Sequence, residues 1–412
     1  MATTTLARPS ATRMSRTPAF WLVGAAILVM LVAASAPSPI YVVYQARFDF
    51  SATLLTVIFA VYAVALLAAL LIFGALSDQI GRRPVLAAAF VLEAVSMAVF
   101  LSADGVPALI VARIVQGVAT GLATGALSAA LIDLQPDHPS SLGPLLNSAA
   151  PLTGLAIGAL GSGLVVEYVP APTTAVFAAL VVAFLGFAVA FWWLPETAPR
   201  HMRWRGSLVP RVGVPASARR AFVGALPALI ACWALGGLYL SLGASLVAEV
   251  FGTDNHVVGG LVVSLLAGSG AVASVLLRDL EPRQITLYGT LALATGGTVT
   301  LLALTVESLP MFLAGTVIAG TGFGTGFLGA IRALAGAADP DERGELFSTV
   351  YVVSYLAFGI PAVVAGIFTP IVGLRETATG YGLVLIVLAL VAAVARPPAP
   401  AVLAQPKIRS DQ

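Results

Sequence analysis

Long apolar runs separated by short polar breaks fill this chain from residue 20 to residue 395. A helix crossing a bilayer needs about 20 mainly apolar residues, because the hydrocarbon core is about 30 Å thick and each residue rises about 1.5 Å. Runs that meet this test cover 20–44, 51–73, 85–101, 108–131, 142–166 and 173–194. After a polar gap come 222–247, 257–277, 285–306, 311–334, 346–372 and 379–395. The pattern predicts an all-α membrane protein with twelve transmembrane helices, six on each side of one linker. Several breaks are single turns, such as Asp104-Gly105-Val106-Pro107 and Glu307-Ser308-Leu309-Pro310, which force antiparallel neighbours. The expected division is a tail over 1–19, a first half over 20–194, a linker over 195–220, a second half over 221–396 and a tail over 397–412.

The first run could be taken for a signal peptide, since Arg8, Arg13 and Arg16 precede it and Ala34-Ser35-Ala36 has the small residues of a cleavage site. Its length exceeds the roughly 7–15 apolar residues of such a segment, so it reads as an uncleaved first span. Glycine recurs across the halves. Gly117, Gly121 and Gly125 on the fourth span are echoed by Gly320 and Gly324 on the tenth, with Phe327-Leu328-Gly329 near the third position. Such an echo predicts two pseudo-symmetric six-helix bundles with a substrate site between them, although glycine is also ordinary packing chemistry in membrane helices.

Composition makes lipid the solvent. The chain is 59% apolar and 10% charged, against about 25% charged in an ordinary soluble domain. A net charge of +2 gives no reason to expect a nucleic-acid partner. Cys232 stands alone, so neither a disulfide framework nor a cysteine metal site is expected, and no cofactor is called for. Lys407 is the only lysine, and the Ala/Arg/Gly-rich usage suggests a bacterial source. The placement of charge is more informative than its sum. The linker carries Arg200, Arg203, Arg205, Arg211, Arg219 and Arg220, with Pro199, Pro210 and Pro215 interrupting any long helix. Basic loops stay in the cytoplasm. With twelve spans that choice also puts Arg8, Arg13, Arg16, Arg82, Arg83, Arg278, Arg283, Arg343, Arg396, Lys407 and Arg409 on the cytoplasmic side, leaving Arg47 and Arg375 opposite. The expectation is a multi-pass protein of the bacterial inner membrane with both termini in the cytoplasm.

Three local motifs carry chemistry. Gly74-Ala75-Leu76-Ser77-Asp78-Gln79-Ile80-Gly81-Arg82-Arg83-Pro84 joins the second and third spans. Gly81 permits a tight reversal, Asp78 can accept bonds at a helix N-terminus, and Arg82 and Arg83 offer forked donors for carboxylates. On the fourth span Arg113-Ile114-Val115-Gln116-Gly117 places an arginine inside the membrane, where it must face protein or water and find a partner. Leu194-Pro195-Glu196-Thr197 closes the sixth span. These stretches resemble the G-x-L-x-D-x-x-G-R-R, R-x-x-Q-G and P-E-T motifs of the major facilitator superfamily. The resemblance implies that the first loop locks the cytoplasmic side in the outward-facing state, with Asp78 meeting the start of the eleventh helix near Gly344 and Arg82 meeting Asp133. It also associates Arg113 with proton coupling, the alternative being a structural arginine satisfied by carbonyls of a neighbouring helix. The fifth span, Ala150-Pro151-Leu152-Thr153-Gly154-Leu155 followed by Gly158, Gly161 and Gly163, is similar to the G-P-x-x-G-G run of antiporters but departs from it at Ala150 and Leu155.

Glu93 is the one carboxylate deep within a predicted span. Low-dielectric surroundings disfavour its charge, so it is either a proton carrier or a hydrogen-bonded group between helices. The family's cavity-lining helices offer Tyr41, Tyr44, Tyr62, Gln116, Trp233, Tyr239, Phe323 and Phe327, with Tyr351 and Tyr355 on the eleventh, and Pro37 and Pro39 bend the first helix. Aromatic walls with few fixed charges favour a moderately hydrophobic small molecule. His138, His201 and His256 fall in or near loops and take no role. The expected activity is secondary transport by alternating access, as proton-coupled efflux of drug-like or metabolite compounds. Proton-coupled uptake of a sugar or organic acid is the alternative within transport, and a non-transporting receptor the alternative outside it. No G-x-x-x-x-G-K-[ST] loop is present for ATP, and the spans hold no interior histidine or paired carboxylates for an enzyme. The expected partners are a small-molecule substrate, protons and the lipid bilayer.

Overall fold

The computed structural model of the chain describes residues 13–136, 142–198, 212–339 and 341–395. Arg8, His138, Pro199, Arg200, His201, Arg203, Arg205, Pro210, Arg211, Arg396, Lys407 and Arg409 lie outside the described residues. Within them every regular element is a helix. The first half is built from α1 (Arg16–Ser35), α2 (Pro37–Phe48), α3 (Ala52–Phe73), α4 (Leu76–Ile80), α5 (Arg82–Leu101), α6 (Val106–Leu134), α7 (Leu142–Tyr168) and α8 (Pro172–Ala190). The second half contains α9 (Arg219–Phe251), α10 (His256–Leu276), α11 (Pro282–Val306), α12 (Leu309–Ala337), α13 (Arg343–Val372) and α14 (Leu374–Val394). Among the described residues twelve spans are long and apolar enough to cross a membrane, α1 and α2 together making the first. Leu276 is 73% exposed, Val182 71% and Ile371 70%. Apolar side chains turned outward on this scale identify lipid as the surrounding medium.

Two boundaries differ from the sequence expectation. The first span is broken at Ala36, because Pro37 and Pro39 lack the N–H groups that would bond one turn back. Several helices outrun their apolar stretch: α9 begins at Arg219 and ends at Phe251, where 222–247 was expected. The apolar run measures only the hydrocarbon crossing, and the helix continues into the interface on both sides.

Small residues set the helix spacing. A Cβ placed on Gly117 or Gly121 of α6 would overlap the α3 backbone at Tyr62 or Leu66, and one on Gly320 or Gly324 of α12 would overlap α10 at Leu266 or Gly270. The fourth span thus packs on the second as the tenth packs on the eighth, which gives the glycine echo its physical content. The halves meet along α7 with α10, α3 with α13, and α2 with α9. Among the described residues three hydrogen bonds cross this seam: Ser38 Oγ to the Leu240 carbonyl at 2.7 Å, Thr53 Oγ1 to the Gly366 carbonyl at 2.7 Å, and the His256 amide to Glu167 Oε2 at 2.9 Å. Each joins a side chain of the first half to the main chain of the second. All three lie at the face remote from the linker. On the linker face no hydrogen bond or ion pair joins the halves among the described residues.

Candidate functional site

The seam is sealed by Phe59 of α3 against Phe358 of α13, their rings 4.7 Å apart. One turn closer to the linker face lie Tyr62 on α3 and Tyr355 on α13. Tyr355 packs edge-on to Trp233 of α9 at 4.9 Å and against Tyr351 at 6.4 Å, and Trp233 packs on Phe327 of α12 at 5.5 Å. Phe323 covers Gly236 on the neighbouring turn. The second half therefore presents an aromatic wall, and Phe59 with Phe358 forms its roof.

The first half presents a buried polar network. Arg113 is 1% exposed. It donates from Nε to the Tyr41 hydroxyl, and from one terminal nitrogen to Gln116 Oε1 at 2.7 Å and the Ala34 carbonyl at 3.4 Å. Its guanidinium also lies 5.3 Å from the ring centres of Tyr41 and Tyr62 and 5.7 Å from that of Phe100. Gln116 in turn donates to the Ala33 carbonyl at 3.0 Å. That carbonyl is free because Pro37, four residues on, has no N–H to offer it. The proline break and the intramembrane arginine are thus two parts of one arrangement, and the arginine is satisfied by a hydroxyl, an amide, one carbonyl and rings. No carboxylate lies within 4.0 Å of it among the described residues. Glu93 of α5, fully buried, accepts a hydrogen bond from Thr120 Oγ1 at 2.7 Å.

Two aromatic candidates sit elsewhere. Tyr44 donates to the Phe100 carbonyl at 2.9 Å and stacks with Phe48 and Phe177, inside the first half. Tyr239 bonds Thr316 at 3.0 Å and lines a small apolar cavity of about 30 Å³ inside the second half, between α9, α11, α12 and α14. It stands six residues after Trp233, with its side chain about 120° apart from that of Trp233 on a helix of about 3.6 residues per turn, and so faces away from the seam. Tyr41 serves the network as the partner of Arg113.

The loop between α3 and α5 is a second constellation. Arg82 pairs with Asp133 at 2.7 Å and with Asp78 at 3.2 Å. Asp78 is 60% exposed, and a Cβ added at Gly344 would meet nothing within 4 Å. The contact near Gly344 implied by the family resemblance is therefore not made, because the halves are apart on this face. Arg83 lies over the Trp192 ring, its guanidinium carbon 5.4 Å from the centroid. Glu196 and Thr197 have a role that the sequence reading left unassigned. Glu196 accepts the Arg82 amide at 2.8 Å and the Arg83 amide at 3.3 Å, and Thr197 Oγ1 accepts from Arg82 Nε at 3.2 Å. A carboxylate at the first amides of α5 satisfies orphan donors and the helix dipole together. Gly81 turns the chain into this position at φ +104°. Glu196→Ala removes the cap, at a cost of about 1–2 kcal/mol, and is expected to lower the melting temperature in detergent by about 2–6 °C. An unchanged thermal scan would show that the cap is dispensable.

The model of the Major Facilitator Superfamily matches residues 22–304. Among solved structures, the human organic anion transporter MFSD10 (TETRAN) superposes with a TM-score of 0.64 at 20% identity, over 92% of this chain and 100% of that one. No curated protein sequence matches the chain. The shared fold, the twelve spans and the family match together establish that this multi-pass membrane protein belongs to the major facilitator superfamily and is a secondary transporter.

Proposed function

We propose that the protein exports moderately hydrophobic, drug-like or metabolite molecules from the bacterial cytoplasm in exchange for protons, by alternating access. One observation carries the reading. The halves are hydrogen-bonded together at one face only, through Ser38, Thr53 and Glu167, while the linker face has no such bridge among the described residues. With the basic linker in the cytoplasm, this is the inward-open state. Substrate enters beneath the Phe59–Phe358 roof, between the Trp233, Tyr351, Tyr355 and Phe327 wall and the Tyr62 side of the first half. Glu93 takes the proton, and the Arg113 network transmits its charge to the moving helices. The Gly74–Pro84 loop, with Asp78, Arg82, Arg83 and Asp133, closes the cytoplasmic face in the opposite state.

A second reading concerns substrate charge. Arg113 keeps a positive charge with no carboxylate at hand among the described residues, which would favour an organic anion, the substrate class named for the human structural neighbour. The test is accumulation in efflux-deficient bacteria of ethidium, of a fluoroquinolone and of an anionic fluorescein dye, with and without a protonophore. Lower accumulation abolished by the protonophore supports proton-driven export, and the responding dye gives the preferred charge. Unchanged accumulation of all three would overturn the export reading. For a compound that is moved, Glu93→Gln is expected to abolish gradient-driven transport and leave substrate exchange intact. Full driven transport by that variant would take Glu93 out of the mechanism.

A further inference from the structure

Threonine inside a helix ordinarily donates its hydroxyl to a carbonyl one turn back. Thr124, Thr286, Thr298, Thr325 and Thr369 all do so here, at 2.6–2.9 Å. Thr120 does not. Its hydroxyl is turned away from the Gln116 carbonyl of its own helix and donates to Glu93 Oε1 of α5 at 2.7 Å, with Thr120 itself 3% exposed. The other carboxyl oxygen has no protein partner among the described residues, so Thr120 is the donor through which the protein addresses this carboxyl group.

The charged and titratable neighbours are few. Tyr62 approaches from α3, and Arg113 from α6 without coming into ion-pair range. From α4, Asp78 is engaged with Arg82, about 16 Å away by helical rise from residue 82 to 93. Helix α8, also packed on α5, has no ionisable side chain in its sequence.

We infer that Thr120 is a positioning residue that governs proton exchange at Glu93, by donating to the carboxylate and accepting from the acid. This rests on the reading of Glu93 as the proton site. The step balances without any co-reactant beyond water: hydronium gives its proton to a Glu93 oxygen, a carboxyl O–H forms, and water leaves. As it does so, the Thr120 hydroxyl turns from donor to acceptor and takes a hydrogen bond from the new O–H. Whether that hydroxyl donates or accepts reports whether Glu93 holds a proton.

The experiment needs no substrate. Purified protein in lipid is taken through a pH jump, and the carboxylic C=O stretch is followed by infrared difference spectroscopy. The Glu93 band is assigned as the one lost in Glu93→Gln. In Thr120→Val the band is expected to shift in frequency, having lost its hydrogen bond, and its pH midpoint to move by about one unit, a tenfold change in proton affinity. Thr120→Ser, which keeps the hydroxyl, should restore both. Thr120→Ala, smaller than either, is the second variant should valine disturb packing. A band lost in Glu93→Gln but unchanged in frequency and midpoint by valine and alanine would overturn the role of Thr120 alone. A difference spectrum without any Glu93 band would remove the proton site and this inference together.

Discussion

Arg113→Met is expected to abolish driven transport, by about a hundredfold or more, while the chain still inserts and folds. Methionine keeps the length of the side chain and deletes its charge and donors. Its loss leaves the Tyr41 hydroxyl and Gln116 Oε1 without their donor, and removes the cation from the Tyr41, Tyr62 and Phe100 rings. Hydrogen bonds to a charged group contribute about 1.5–3 kcal/mol each, and each 1.4 kcal/mol in a barrier is about tenfold in rate. Two such bonds suffice for the predicted loss if the network must persist while the halves move. Insertion should not suffer, because an arginine at the centre of a span costs about 2.5–3.5 kcal/mol to insert and methionine removes that cost. Arg113→Lys is expected to fail almost as badly, since one ammonium cannot reproduce a planar fork that serves Tyr41, Gln116 and Ala34 together. Accumulation of a transported dye, set against the amount of monodisperse protein in the membrane, measures the effect. Full transport by the methionine variant would reduce Arg113 to scaffolding.

Much of this architecture was legible because membrane physics writes it in long strokes. Twelve apolar runs, a glycine pattern repeated in both halves and three motifs gave the span number, the two halves and the family. The Arg82–Asp133 pair could be named beforehand only because the family resemblance implies it. What could not be read was which way each helix faces. Helix α9 is apolar almost all round, so nothing in its sequence tells Trp233 at the seam from Tyr239 in the interior of the second half. Tyr44 was indistinguishable from Tyr41 for the same reason, though one packs on Phe177 and the other binds Arg113. Pro37 reads in the sequence only as a bend in the first helix. Its freeing of the Ala33 carbonyl for Gln116 depends on the register between α1 and α6, which no single-chain pattern contains. Phe59 and Phe358 had a faint signal, since Phe59 with Tyr62, and Tyr351, Tyr355 and Phe358, repeat at helical spacing. Thr120 had none, because its departure from the usual threonine bond is visible only once α5 lies beside α6.

The other large effect is steric. Gly260 of α10 lies against α7 at the sealed face, and a Cβ added to it would overlap the Ala159 carbonyl oxygen and stand 3.3 Å from the Gly163 Cα. Both elements are backbone, so neither can step aside as a side chain would. Gly260→Leu is therefore incompatible with this sealed arrangement. In a state in which α7 and α10 separate at that end, the same leucine would meet no such obstacle. The variant should fold, be held with its outer face open, and lose transport by about a hundredfold, since a wedge costing about 3 kcal/mol shifts a two-state equilibrium by that factor. Gly260→Ala, with less to accommodate, should fall between. The measurement is labelling of Val263→Cys, a residue 1% exposed in the cross-half cluster of Phe59, Leu240 and Phe358, with an external membrane-impermeant maleimide. Native Cys232 is buried inside the second half and contributes little background. Strong labelling in the Gly260→Leu background and weak labelling without it would tie the outer seal to the transport cycle. Wild-type transport with Val263→Cys still shielded would mean that α7 and α10 do not part at this end, and the rocking of one half against the other would have to be abandoned.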